Sequence, residues 1–331
     1  MKKLLNEKEK IVEDLIEGYV LAYPNQVQAV PGTHIVKRRE PKEKGKVRLI
    51  VGNGPGHEPC LLGMVGKGAL DLDVLGEIFA APSYQYYFEG IQDLDDGSPI
   101  LMAVMNHAGD VLNSDIALDM AKDEGIDIES CLFYDDIASA PKECPEERRG
   151  MTGYIFFCKI VGAMAEEGRS RGDCIKMFEN IRHNCRTLGL AIAPCTHPIS
   201  EQRLFELPED ECEIGSGAHG EGGAIRIRMT DAKTIVGQMC EMLVTDRPYD
   251  RGDEVLVIVN GSGSTTMMEL NIVYKETYHY LKARGIMAVE GLIGNYMTTQ
   301  EAAGFTISLL KLEGEMKKYW NAPCDAPYFR R

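Results

Sequence analysis

Apolar positions recur three and four apart near the start of the chain, where Ile11, Val12, Leu15, Ile16, Tyr19 and Val20 share one face of a predicted helix. A basic loop over 37–46 leads into an apolar strand at 47–51, which runs straight into Gly52-Asn53-Gly54-Pro55-Gly56-His57. Glycines crowd residues 63–76, with a short strand expected near Ile78. The continuous apolar run 100–105 predicts a buried strand. Asn106-His107-Ala108-Gly109-Asp110 follows, then a helix from about Ser114, which can cap it. A strand over 130–134 ends in Asp135-Asp136, and helices are expected over 152–167 and 172–187. Strand, loop and helix in alternation predict an α/β layer fold with a largely parallel sheet.

The pattern then restarts. A strand over 188–193, a turn-rich segment over 211–223 and a helix over 231–243 that Thr230 can cap precede a strand over 255–260. That strand enters Gly261-Ser262-Gly263-Ser264-Thr265 and a helix to about Arg284; residues 286–292 and 305–312 complete the set. At 331 residues two domains are the natural expectation. The predicted class is therefore two α/β domains, each a sheet flanked by helices, with residues 1–189 in one and 190–331 in the other.

Composition changes this picture little. Hydrophobic residues make up 44% and charged residues 26%, ordinary for a globular protein. A net charge of −15 suits neither nucleic-acid phosphate nor an anionic membrane, so neither is an expected partner. The ten cysteines form no CxxC pair, which gives no sign of a zinc knuckle or a redox site and reads as scattered core thiols. No metal site is expected. The first fourteen residues are charged rather than signal-like, and no run of about 18 apolar residues occurs; a cytoplasmic protein is expected.

Both glycine-rich loops after strands lack the Gly-Lys pair of a phosphate-cradling loop. The strict alternation of Gly52, Gly54 and Gly56, with Pro59 close behind, is no dinucleotide fingerprint either. A strained turn that holds His57 at the carboxyl end of a strand fits better, since ligands of open α/β sheets bind at that edge. Asp110 sits in an equivalent loop, and two such loops with ionisable groups point to one pocket, which His107 is placed to join. Gly215-Ser216-Gly217-Ala218-His219-Gly220-Glu221-Gly222-Gly223 surrounds a third candidate, His219, with glycines that let a ligand approach its ring. His34, His183, His197 and His279 have no partner at metal-ligand spacing. Asp135-Asp136 reads as a solvated strand end.

Together these loops resemble the substrate-binding subunit of dihydroxyacetone kinases. The resemblance rests on Gly56-His57-Glu58-Pro59, Gly109-Asp110-Val111-Leu112-Asn113 and Gly217-Ala218-His219-Gly220-Glu221. It extends to Gly76-Glu77-Ile78-Phe79, Arg148-Arg149-Gly150 and Gly304-Phe305-Thr306-Ile307-Ser308-Leu309, and so spans the chain in order. It implies a two-domain α/β homodimer in which His219 attacks a ketone carbon and holds dihydroxyacetone or a related short ketose as a hemiaminal. It also implies Asp110 as general base, His57 as a hydrogen-bonding orienter, and Gly54 and Gly56 N–H groups lining the pocket beside Pro55 and Met105. Capture of a carbonyl fits imidazole chemistry near neutral pH and rejects glycerol, which has no ketone. This chain would bind no cofactor. A separate nucleotide-binding subunit would carry the phosphoryl donor with magnesium, either ATP or a held ADP recharged by the phosphotransferase system.

The chain departs from the family pattern near the substrate. Met105 stands where a lysine is usual, His107 and Ala108 replace Tyr and Thr, Ala81 and Pro55 replace serines, and Gly222 replaces a Pro. Each lost donor is worth ~1 kcal/mol net, which opens the site to a longer ketose such as erythrulose. Two rivals stand beside the kinase reading. One is a ketose-binding co-activator of a transcription regulator, which keeps His219 but has no need of Asp110. The other, an isomerase or aldolase, lacks a recognisable Schiff-base lysine.

Overall fold

The computed structural model describes residues 2–217, 221 and 225–331. The chain forms two compact units, and neither is contiguous: one comprises 2–133, 154–181 and 315–331, the other 134–153 and 182–314. The expected single boundary near residue 190 is corrected accordingly. It would cut through the strand Cys185–Ala193, which pairs on both sides within the second unit.

In the first unit, helix α1 (Ile11–Ala22) buries Val12, Ile16 and Tyr19, the face its periodicity predicts. Strands β1 (Val27–Ala29), β2 (Ile35–Arg38), β3 (Arg48–Asn53), β4 (Leu72–Leu75), β5 (Ile100–Met105) and β6 (Ile128–Phe133) form a sheet in the order β1-β2-β4-β3-β5-β6. The four strands β4-β3-β5-β6 are parallel, and β1 and β2 add an antiparallel edge. Buried on both faces, β5 has no exposed residue, as its unbroken apolar run requires. Helices α2 (Tyr84–Leu94) and α3 (Ala108–Asp123) place Tyr87, Ile91, Ala117, Leu118 and Ala121 against Ile50, Leu72, Val74 and Met102. Helix α4 (Tyr154–Glu167) is buried from Tyr154 to Ala165.

Local expectations shift in four places. The basic stretch after 37 begins inside β2, and the strand sought near Ile78 is β4, within the glycine-rich stretch. Helix α2 was not signalled by the pattern; Ser83 caps it by accepting the Tyr86 N–H at 3.3 Å. Helix α3 starts at Ala108 rather than Ser114, because His107 already has the extended backbone of a cap residue.

Helix α5 (Arg171–Asn184) leads into the second unit, where β7 (Cys185–Ala193), β8 (Glu211–Ile214), β9 (Ile225–Arg228), β10 (Glu254–Gly261), β11 (Met287–Gly294) and β12 (Ala303–Lys311) form a sheet in the order β11-β10-β12-β7-β8-β9. Here the parallel expectation fails. Only β10 and β11 run parallel, and the other four pairings are antiparallel. Helices α6 (Ala232–Asp246) and α7 (Met267–Ala283) cover it, capped by Asp231 and by a Thr266–Glu269 capping box. Leu188, Ile214, Val236, Met239, Val257, Leu270 and Ile307 lie in its core. The ten cysteines are all free and nine are buried, as expected. Among the described residues no helix is long and apolar enough to cross a membrane.

Candidate active site

Strands β3 and β5 are parallel neighbours, paired from Arg48↔Ile100 to Ile50↔Met102, so their carboxyl ends at Asn53 and Met105 open on one edge. The turn after β3 is built by close approach. Gly56 has φ 111°, where a side chain is disfavoured. A Cβ there would come within 2.5 Å of the Phe79 ring, and one on Gly54 within 2.7 Å of the Ala80 carbonyl oxygen. The Phe79 N–H donates to the Pro55 carbonyl at 2.8 Å, and the Gly76 N–H to that of Asn53 at 2.9 Å. His57 is 4% exposed, its ring centroid 5.1 Å from that of Phe79. Phe79 itself has φ 58°, a strained backbone for a bulky side chain held by these contacts. The Gly56 N–H donates to Glu58 Oε1 at 2.7 Å, within the turn itself.

Asp110 occupies the first turn of α3, where a negative charge meets the positive end of the helix dipole. Its Oδ1 accepts the Tyr87 hydroxyl at 3.1 Å. The Tyr87 ring fills the space that a Cβ on Gly52 would need. Burial, and then the neighbouring Asp110, push the Tyr87 hydroxyl well above its ordinary range, so it stays a donor. Gly109 lies close enough to Ala81 for an added Cβ to come 3.2 Å from that side chain. The fold thus brings Gly54, Pro55, Gly56, His57, Met105 and Asp110 to one sheet edge. Met105 is buried at the strand end, and half-buried His107 takes the cap position of α3.

His219 and Gly222 lie outside the described residues. What flanks them belongs to the second unit, between the paired strands β8 and β9, whose register ends at Ile214↔Ile225. The Gly217 N–H donates to the Glu221 carbonyl at 3.2 Å. In the same unit Thr152, Gly189, Ser216, Gly217, Thr299 and Thr306 line a small cavity.

Asp135-Asp136 is not the solvated strand end expected from the sequence: each is 1% exposed. Asp135 accepts the N–H groups of Met151 (2.5 Å) and Gly153 (2.9 Å) and the Thr187 hydroxyl, which replace water. Burial nevertheless pushes its carboxyl up to about 7. Asp136 pairs with Arg149 Nη2 at 2.8 Å.

Three groups near the first edge were missed. Tyr87 sits on the unexpected helix, and Asn53 Nδ2 donates to Asp73 Oδ2 at 2.5 Å. Asp73 is fully buried, and burial holds its carboxyl well above the ordinary range. The signal was available: Asp71 and Asp73 alternate with Leu72 and Val74 at and just before β4, the period of a strand whose polar positions share one face.

Comparison with known proteins agrees along the chain. Residues 17–328 match the Dak1 domain model. The dihydroxyacetone-binding subunit DhaK of PTS-dependent dihydroxyacetone kinase 1 from Listeria innocua is 38% identical over 315 residues, 95% of each chain. A D-erythrulose kinase of Mycolicibacterium smegmatis is 34% identical over the whole of this chain, which spans 57% of that enzyme. Among solved structures, a dihydroxyacetone kinase operon co-activator superposes with TM-score 0.89 at 29% identity, covering 95% of this chain and 97% of its own. The dihydroxyacetone kinase of C. freundii gives TM-score 0.88 at 28% identity, covering 99% of this chain and 60% of that one.

Proposed function

This chain belongs to the Dak1 domain family, and from that premise we propose that it is the ketose-binding subunit of a dihydroxyacetone-type kinase. The observation that carries this reading is the convergence of the His57 turn and Asp110 on one sheet edge, tied through Tyr87 and Gly52. The full-length similarity to a dihydroxyacetone-binding subunit supports it.

His219 attacks the ketone carbon and holds the substrate as a hemiaminal, the C–N bond forming as the carbonyl oxygen takes up a proton. His57, buried against Phe79, orients the bound ketose by a hydrogen bond. Asp110 takes the proton from the terminal hydroxyl as that oxygen attacks phosphorus. Tyr87 holds the Asp110 carboxylate in place from the buried side. A nucleotide-binding partner subunit supplies the phosphoryl group from ATP, or from ADP recharged by the phosphotransferase system, with its magnesium. The subunit works as a homodimer in the cytoplasm.

Met105 and Ala81 remove polar groups from the pocket wall, which favours a ketose longer than dihydroxyacetone. The 34% identity with a D-erythrulose kinase supports that preference. The likeness to a co-activator keeps a second reading open, ketose sensing without catalysis.

Calorimetry with dihydroxyacetone, erythrulose and glycerol tests capture: ketone-specific heat is expected, and it disappears in His219→Ala. Ketone binding undiminished in His219→Ala contradicts the covalent reading. Adding nucleotide-binding subunits and assaying phosphorylated ketose separates kinase from co-activator. Turnover supports the kinase, and its absence with every donor subunit supports the sensor.

A further inference from the structure

Arg148 and Arg149 are adjacent, yet they serve different neighbours. Arg148 is a buried anchor, its guanidinium forked onto Asp246 at 2.9 and 2.5 Å at the end of α6. Arg149 turns to the glycine-rich loop instead. Its backbone is pinned first: the N–H donates to Ser139 Oγ at 2.9 Å, and the carbonyl accepts the N–H groups of Asp135 and Asp136 at 3.0 and 3.1 Å. Its guanidinium is then aimed by Asp136, which is 1% exposed and accepts the Arg149 Nε at 3.0 Å.

The far side of the same guanidinium meets both strands of the loop. Nη2 donates to the Gly215 carbonyl at 3.3 Å, and Nη1 lies 3.7 Å from Glu221 Oε2. A side chain on Gly217 would collide with both Glu221 and Arg149, so this glycine is required by the clamp itself. The Gly217 N–H to Glu221 carbonyl bond joins the two roots, while Gly215 is fastened to the sheet by its own N–H on the Gly189 carbonyl at 2.7 Å. Only residues 218–220 lie between these pinned ends.

We propose that Arg149, aimed by Asp136, is the positioning residue that fixes both roots of the loop carrying His219. The proposal rests on the reading of His219 as the ketone-capturing nucleophile. The demand is physical: attack on a carbonyl requires a near-attack geometry, and a misplacement of about 1 Å can cost roughly a hundredfold. A planar guanidinium, with five donors in a fixed fork, can serve a carboxylate on one side and a carbonyl with a second carboxylate on the other; an ammonium cannot.

Carbon-13 NMR of dihydroxyacetone labelled at the ketone carbon reads the adduct directly, because capture converts a trigonal carbon signal into a tetrahedral one. In folded Arg149→Met the tetrahedral fraction at matched ketone is expected to fall by roughly tenfold to a hundredfold, with Arg149→Lys intermediate. Amide exchange at Gly215 and Gly217 is expected to speed up in Arg149→Met while that of β10 stays unchanged. Glu221→Gln, which touches only the loop side of the clamp, keeps the test available if Arg149→Met does not fold, with a several-fold drop expected. A tetrahedral signal in wild type that persists at full strength in these variants overturns the clamp alone. No tetrahedral signal in wild type overturns the His219 reading, and the clamp with it.

Discussion

The two units carry their candidate residues on opposite sheet chemistry. The first uses parallel strands, whose carboxyl ends all open on one edge, and it places its groups on short turns locked by backbone contact. His57 and Asp110 are accordingly 4% and 9% exposed. The second is mostly antiparallel, and its glycine-rich connection between β8 and β9 is gripped at Gly215 by Arg149. One unit therefore sets the positions of its groups by packing, while in the other Arg149 braces Gly215 and Glu221 of the glycine-rich connection.

The same contrast governs buried carboxylates. In the first unit Asp71 is paired with Lys42 Nζ at 2.5 Å and with Arg38 Nη1 at 3.4 Å, an ion cluster with 3% exposure at the carboxylate. In the second, no cation among the described residues pairs with Asp135, which is met by N–H and hydroxyl donors. Paired charge stabilises while the pair is intact, whereas burial raises the Asp135 carboxyl even against the N–H and hydroxyl donors that favour its ionised form.

The sharpest break of the comparison is Asp110→Asn. It should lower phosphorylation by roughly 10²–10⁴-fold, the worth of a positioned general base, while leaving ketone capture nearly unchanged. Steady-state assays with a nucleotide-binding subunit, alongside calorimetry, check both halves. Asp71→Asn comes next in size: Lys42 is left buried without its carboxylate partner, while Arg38 keeps Glu166 at 2.7 Å, and stability in urea should drop by about 3–5 kcal/mol.

The pH response of the second unit follows in magnitude. Asp135 titrates at about 7 when folded and near its ordinary value when unfolded, so the unfolded state gives up its proton first as pH rises. The stability it contributes is complete at pH below about 4 and is lost as pH rises through about 7, at most about 4 kcal/mol in all. Asp135→Asn should be less stable overall but flat across that window in pH-dependent denaturation. A wild-type curve without slope there contradicts a neutral Asp135.

The smallest effect belongs to Gly52→Ala. The added methyl displaces the Tyr87 ring, costs about 1–3 kcal/mol of stability by overpacking, and loosens the hold on Asp110. Turnover should fall with little change in ketone affinity.

Much of this was legible in the residues. The apolar run of β5 and the helical face of α1 announced themselves by period, and His57 and Asp110 by their place after strands. What escaped depended on tertiary contact. Helix α2 carries only Tyr87, Gly90 and Ile91 as buried positions, too sparse a stripe to stand out. The antiparallel pairing of β12 with β7 joins residues more than a hundred positions apart, which local pattern does not encode. Asp135 and Asp136 looked solvated because their compensating donors come from residues 138–187. For the same reason Arg149 was visible only as part of an arginine pair, with nothing in the sequence to separate it from Arg148.

The central claim is that His219 bonds to the ketone carbon. A crystal structure of the protein soaked with dihydroxyacetone tests it most directly. The account predicts continuous density from the His219 imidazole nitrogen to a tetrahedral carbon. A ketose bound with its carbonyl carbon planar and separate from His219 would contradict it.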